Sequence, residues 1–320
     1  MNYILLLIGF VLLIKSADYF VDGASAIAKK FRIPTIVIGL TIVAFGTSAP
    51  EAAVSITSGL QGQNGMAIGN VVGSNIFNLL VVVGVAAFIC PLKVKKCTIV
   101  KDFPFAILSS FVLLIISGDL MFAGSSKNIL SRADGIILLI LFGIYMYYLI
   151  EIALESRKLA VTTESTEEIK ELSTGKSLIL CIGGIVGIIL GGKFVVDSAS
   201  SIALAWGMSE SLVGLTIVAI GTSLPELVTS IVASTKGESD IALGNVIGSN
   251  IFNIFFILGI SCFIHPIAVG PGVFTDMFIL LIISIVAYVF AVTKKSINRI
   301  EGAVLTLSYI VYMIFIIIRK

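Results

Sequence analysis

The sequence predicts an all-α polytopic membrane protein: ten transmembrane helices, arranged as two inverted five-helix repeats with broken helices at the midplane. Three observations carry that expectation. The 320 residues are 58% hydrophobic and only 12% charged, with a mean hydropathy of +1.11, more apolar sequence than a soluble core needs. The apolar residues fall into long continuous runs rather than alternating strands, which argues against a β-barrel. Residues 39–78 also recur at 214–253 without a gap, with 24 of the 40 positions identical, so the chain is internally duplicated.

Ten apolar runs follow in order: 3–28, 34–60, 65–90, 102–118, 134–154, 177–204, 211–235, 240–264, 273–292 and 299–318. Each can cross a hydrocarbon core of roughly 30 Å. The first has no basic flank, and no cleavage site precedes Lys15 and Asp18, so it reads as a retained span rather than a signal peptide. Only one interruption is long. Residues 155–176 form a polar linker between a first repeat, 1–154, and a second, 177–320; it is too short for an enzyme domain. Spans 273–292 and 299–318 read as lipid-facing scaffold. Trp206, Tyr145, Tyr147 and Tyr148 read as interfacial anchors, and Lys15–Asp18 and Lys193–Asp197 as ion pairs near helix ends.

Basic residues set the orientation. Alternate loops on one side carry Lys29, Lys30, Arg32, Lys93, Lys95, Lys96, Lys101, Arg157, Lys158, Lys170, Lys176, Lys236, Lys294, Lys295 and Arg299. The other side carries only Lys127, Arg132, Arg319 and Lys320. The richer side is expected to be cytoplasmic, with both termini outside and the linker inside. Five spans is an odd number, so the second repeat must insert upside down. Similarity extends upstream of the core stretch: Val21, Asp22, Ala24, Ser25, Ile27 and Ala28 match Val196, Asp197, Ala199, Ser200, Ile202 and Ala203. Inverted repeats with interrupted helices are a recurring transporter architecture.

Composition also excludes chemistries. The four cysteines, Cys90, Cys97, Cys181 and Cys262, form no CxxC pair, and His265 is the sole histidine, so a soft-metal centre is not expected. No basic block suits a nucleic acid. No cofactor is expected, and the chain is expected to work as a monomer in the bilayer.

Each copy of the repeat puts one carboxylate, Glu51 or Glu226, inside an apolar helix. A charge there is costly and defaults to a functional reading. Pro50, with no N–H, breaks the helix next to Gly46 and is expected to leave carbonyls of residues 44–47 free to face a cation. Helical spacing places Ala44, Thr47, Ser48 and Glu51 on one face, and Ala219, Thr222, Ser223 and Glu226 on its counterpart. The next span adds Asn70, Ser74 and Asn78, or Asn245, Ser249 and Asn253; Asn70 and Asn245 also read as interhelical glue. Gly69, Gly73, Gly244 and Gly248 are expected to let helices approach closely. Two inverted copies bring the glutamates face to face in an oxygen-only cage. Such a set suits hard cations, calcium and sodium above magnesium, which gives up water reluctantly. Emptied of its cation, the pair would repel, which favours exchange over one-way transport.

The G-T-S-x-P-E and G-N-V-x-G-S-N-I-F-N strings, each present twice, resemble the two alpha-repeats of the cation/calcium exchanger superfamily, most closely its sodium/calcium exchangers. The resemblance covers nearly the whole chain. It implies ten helices, alternating access and one calcium ion exchanged for about three sodium ions. It implies Glu51 and Glu226 as central ligands, oxygens from Thr47, Ser48, Thr222 and Ser223 and the carbonyls of Ala44 and Ala219, and outer sodium sites completed by Ser74, Asn78, Ser249 and Asn253. Potassium-dependent relatives, and some archaeal ones, carry an acid at one of the positions of Asn78 and Asn253; asparagine at both argues against potassium co-transport. Short loops suggest a prokaryotic inner membrane. A calcium/proton antiporter would use the same glutamates, although the hydroxyl-rich outer positions favour sodium. A calcium channel fits broken inverted repeats less well, and an intramembrane protease would need two aspartates.

Overall fold

The computed structural model describes residues 2–62, 64–122, 124, 127–162, 173–207 and 219–319. Helix α1 (Asn2–Phe31) ends where Arg32 takes a left-handed backbone, φ 54°, and Ile33–Pro34 disfavours further helix. Helices α2 (Thr35–Thr47) and α3 (Ala49–Leu60) follow one another across a 53° bend. Then come α4 (Gly65–Ile89), α5 (Thr98–Ile116), α6 (Arg132–Thr162) and α7 (Thr174–Ala205). Helices α8 (Ala219–Thr222) and α9 (Leu224–Thr235) restate the broken pair, followed by α10 (Ser239–Ile264), α11 (Pro271–Lys294) and α12 (Arg299–Arg319).

The protein is an all-α membrane protein. Eight of its helices are single elements long and apolar enough to cross a bilayer among the described residues, nine when the bent pair α2–α3 is counted as one span. The run expected at 211–235 is represented by α8 and α9; residues 211–218 lie outside those described. The linker is more helical than its polarity suggests: α6 continues to Thr162 and α7 starts at Thr174, with 163–172 outside the described residues.

Four two-residue strands report the inversion. Leu92–Lys93 (β1) pairs antiparallel with Ser296–Ile297 (β4), and Ile129–Leu130 (β2) with Ile267–Ala268 (β3). Strand β3 is the repeat counterpart of β1, 175 residues on. Yet β1 and β2 are separated by helix α5, and β3 and β4 by α11, so each pairing closes a different end of the bundle. Equivalent strands therefore sit at opposite ends. The pairs also join loops that alternation places on one side: Lys93 with Ser296, Leu130 with Ile267.

Helices α1 and α7 lie against each other along their length through small residues. A Cβ on Gly184 would stand 2.9 Å from the Phe20 Cα, and one on Gly191 2.7 Å from the Leu13 N. Gly244 and Gly248 make the predicted close approach: a Cβ on Gly248 would meet the Leu40 carbonyl oxygen at 2.6 Å, and one on Gly244 the Gly39 Cα at 2.9 Å. Gly69 and Gly73 meet no atom of the described residues within 4 Å.

Helices α11 and α12 expose Phe278, Ile282, Val311, Ile314 and Ile318, as a lipid-facing scaffold should. Two local expectations need correction. Asp18 pairs not with Lys15 but with Lys236, at 2.8 Å, and Asp22 binds the same ammonium at 2.6 Å, tying α1 to the end of α9. The tyrosines are not all anchors. Tyr147 is exposed and Trp206 is 74% exposed, but Tyr145 is fully buried and Tyr148 donates its hydroxyl to Asp102 Oδ1 at 3.1 Å. Phe105 packs on both rings, 5.5 and 5.2 Å between centroids, which draws the buried Tyr145 and the half-buried Tyr148 into the α5–α6 contact.

Candidate functional site

The site starts from a backbone break made twice. Ser48 has φ −82° and ψ 9°, Ser223 has φ −94° and ψ 7°, and each is the N-cap of the helix that follows. Pro50 and Pro225 then occupy the first turns of α3 and α9, where a missing N–H costs nothing. Glu51 and Glu226 follow directly, fully buried, in the turn where unpaired N–H groups and the helix dipole favour an anion. The break does not leave the Ala44 carbonyl without a donor, as the sequence suggested: it accepts the Ser48 N–H at 3.0 Å, which takes one of its two lone pairs. Pro50 instead deprives Gly46, four residues back, of a donor.

Hydroxyls cross between the halves. Ser48 Oγ donates to Glu226 Oε1 at 2.7 Å, and Ser223 Oγ to Glu51 Oε1 at 2.9 Å, with Ser74 Oγ 3.2 Å from the Ser223 hydroxyl. Ser249 Oγ stands 3.4 Å from both Glu226 Oε1 and the Ala44 carbonyl oxygen. Thr47 donates to Asn245 Oδ1 at 2.9 Å, and Thr222 closes α8 as Thr47 closes α2. Ala219 opens α8, four residues before Ser223. Asn245 donates to Ser230 Oγ at 2.9 Å and to the main-chain oxygen of Glu226 at 3.3 Å, while Asn70 makes the same pair to Ser55 at 2.9 Å and Glu51 at 3.4 Å. These two asparagines clamp α4 onto α3 and α10 onto α9, so the glue reading and a role in holding the glutamates coincide.

Helix α3 packs against the π-helical turn Phe252–Leu258, which carries Asn253, and α9 against its counterpart Asn78–Val82. Single π turns inside α-helices often mark functional sites, because they re-aim one side chain. Asn78 and Asn253 are both fully buried. Four oxygens of this layer are buried with no hydrogen-bond partner: Glu51 Oε2, Glu226 Oε2, Asn78 Oδ1 and Asn253 Oδ1. Buried polar atoms are seldom left so, and here the four come from symmetry-related pairs. Among the described residues no three of His, Cys, Asp and Glu come together, so two carboxylates are completed by neutral oxygens only. Two buried residues of the layer escaped the sequence reading, Asn75 and Asn250; their presence in both copies of G-S-N-I-F-N was the available signal.

The profile of the family described as "Sodium/calcium exchanger protein" matches residues 1–151 and 176–318. The chain belongs to the sodium/calcium exchanger family. Its exchanger relatives include the sodium/calcium exchanger MaX1 of Methanosarcina acetivorans, 34% identical over 98% of this chain and 97% of that one. The putative antiporter CaxA of Alkalimonas amylolytica is 40% identical over 97% and 96%, and the inner membrane protein YrbG of Escherichia coli 36% identical over 97% and 94%. A structure of the sodium-calcium exchanger NCX_Mj, soaked with sodium and strontium, aligns with this exchanger at a TM-score of 0.83 and 34% identity, covering 98% of this chain and 97% of the other.

Proposed function

We propose that this exchanger is a sodium/calcium antiporter of a prokaryotic inner membrane, potassium-independent and working by alternating access. One observation carries the reading: the four unpartnered buried oxygens of Glu51, Glu226, Asn78 and Asn253. Two negative charges balance one calcium ion, and the amide oxygens extend the shell toward the six to eight oxygens, at roughly 2.3–2.6 Å, that calcium takes. Ser48 and Ser223 hold the other oxygen of each carboxylate from the opposite repeat, so both acids are already oriented before an ion arrives. Sodium ions would use the same carboxylates together with Thr47, Thr222, Ser74, Ser249 and the Ala44 and Ala219 carbonyls; Ser249 already stands beside the Ala44 oxygen. Repeats 1–154 and 177–320 would rock about this shared layer, with 155–176 as the cytoplasmic linker, and the termini outside.

With about three sodium ions per calcium ion, one net charge crosses per cycle, a transfer of about 2.3 kcal/mol per 100 mV. Calcium uptake into proteoliposomes tests this. Uptake should follow an outward sodium gradient, speed up at an inside-positive potential and ignore potassium at fixed voltage. Uptake that follows a pH gradient without sodium would make the protein a calcium/proton antiporter instead, and insensitivity to voltage would reject the three-to-one ratio.

A further inference from the structure

An amide used as a cation ligand carries an ambiguity that a carboxylate does not. One end is an acceptor oxygen; the other is an NH₂ group that would present hydrogens to the ion. Something must hold the oxygen end inward. The layer beside Glu51 and Glu226 contains such a device. Asn75 Nδ2 donates to the main-chain oxygen of Asn250 at 3.1 Å. A main-chain carbonyl only accepts, so this contact fixes which end of Asn75 is which. Asn75 Oδ1 is then turned to accept from Asn253 Nδ2, at 3.0 Å. With its NH₂ end held by that bond, the Asn253 amide turns its oxygen end away from Asn75, and that oxygen has no protein partner.

The inverted copy is built alike. Asn250 Nδ2 donates to the main-chain oxygen of Asn75 at 3.4 Å, and Asn250 Oδ1 accepts from Asn78 Nδ2 at 3.1 Å. Asn78 Oδ1 is left without a partner. All four side chains are buried, so water does not compete for these bonds.

We propose that Asn75 and Asn250 are positioning residues that hold the oxygen ends of the Asn253 and Asn78 amides toward the transported cation, each acting across the repeat boundary. The proposal rests on the reading that Asn78 and Asn253 are ligands. Each ligand amide is thus set by the other repeat: Asn253 by Asn75, Asn78 by Asn250. A mere clamp between repeats would need the same four hydrogen bonds but would not care which end of Asn78 or Asn253 is left over.

The test is a mutant cycle read as the calcium concentration for half-maximal sodium-driven uptake, with the purified full chain in proteoliposomes. Asn75→Leu should raise that concentration about tenfold or more while the melting temperature in detergent moves little. An aspartate at 253 has oxygen at both ends and needs no orienting. Asn75→Leu added to Asn253→Asp should therefore leave half-saturation within threefold of Asn253→Asp alone. Asn75→Leu added to Asn78→Asp should keep its full defect, because Asn78 is set by Asn250. Asn250→Leu should show the mirror pattern, rescued only by Asn78→Asp. If a leucine variant does not fold, the same cycle is run with Asn75→Ala and Asn250→Ala, which add no volume. Equal defects in both aspartate backgrounds, or no calcium defect in the single variants, would overturn the positioning role while leaving the site reading intact. Wild-type exchange in Glu51→Gln and Asn253→Ala would instead remove the site reading beneath it.

Discussion

Ser48 and Ser223 stand three residues before Glu51 and Glu226, the spacing of a serine–glutamate capping box. Each is the N-cap residue of its helix, but neither side chain makes a capping hydrogen bond there; each donates to the glutamate of the opposite repeat. Hydrogen bonds to charged groups contribute about 1.5–3 kcal/mol. Ser223→Ala should therefore weaken calcium binding about tenfold or more by letting Glu51 turn, and Ser48→Ala should do the same through Glu226. Calcium titrations of uptake by both variants check this, and a loss confined to one of them would contradict the crossed arrangement. The glutamates, prolines and serines were legible in the sequence because their chemistry is costly in a membrane and occurs twice. The crossing was not, because helical spacing describes one helix and says nothing of its inverted partner. Asn75 was missed for the same reason: it lies off the Asn70–Ser74–Asn78 face, and its partners are 175 and 178 residues away.

Glycine decides how closely helix α10 approaches α2. Gly248 leaves no room for a side chain: its Cβ would fall 2.6 Å from the Leu40 carbonyl oxygen and 2.8 Å from the Ala44 Cβ. Gly248→Val must push α10 off the broken helix and part Thr47 from Asn245. Overpacking of this kind costs about 1–3 kcal/mol, so a lower melting temperature and weaker calcium binding should appear together in a thermal scan with and without calcium. Lys236 should behave otherwise. Its pairs with Asp18 and Asp22 tie α1 to α9, but the carboxylates are 39% and 50% exposed. Partly exposed pairs contribute about 0–1 kcal/mol, so Lys236→Gln should shift the melting temperature by less than Gly248→Val does, and the shift should shrink in high salt. Helix existence was readable from apolar runs and the two helix breaks from Pro50 and Pro225. The partner of Asp18 was not, because a residue on α9 has no local relation to α1.

At the scale of the molecule, the duplication gave the inverted plan, and the pairing of β1 with β4 and of β2 with β3 agrees with the predicted alternation of loops. Cysteine labelling tests the sidedness. In a background lacking the exposed Cys97, a cysteine replacing Lys158 should react only from the cytoplasm and one replacing Lys127 only from outside; reaction of both from the same side would contradict the plan. The central claim is that Glu51 and Glu226 together hold the transported calcium and that sodium displaces it from the same place. Equilibrium binding of radiolabelled calcium to the purified protein measures this without the transport cycle. The wild-type chain should bind calcium saturably, sodium should displace it more steeply than one for one, and Glu51→Gln and Glu226→Gln should each abolish the binding while the protein stays folded. Wild-type calcium binding in either glutamine variant would contradict the account.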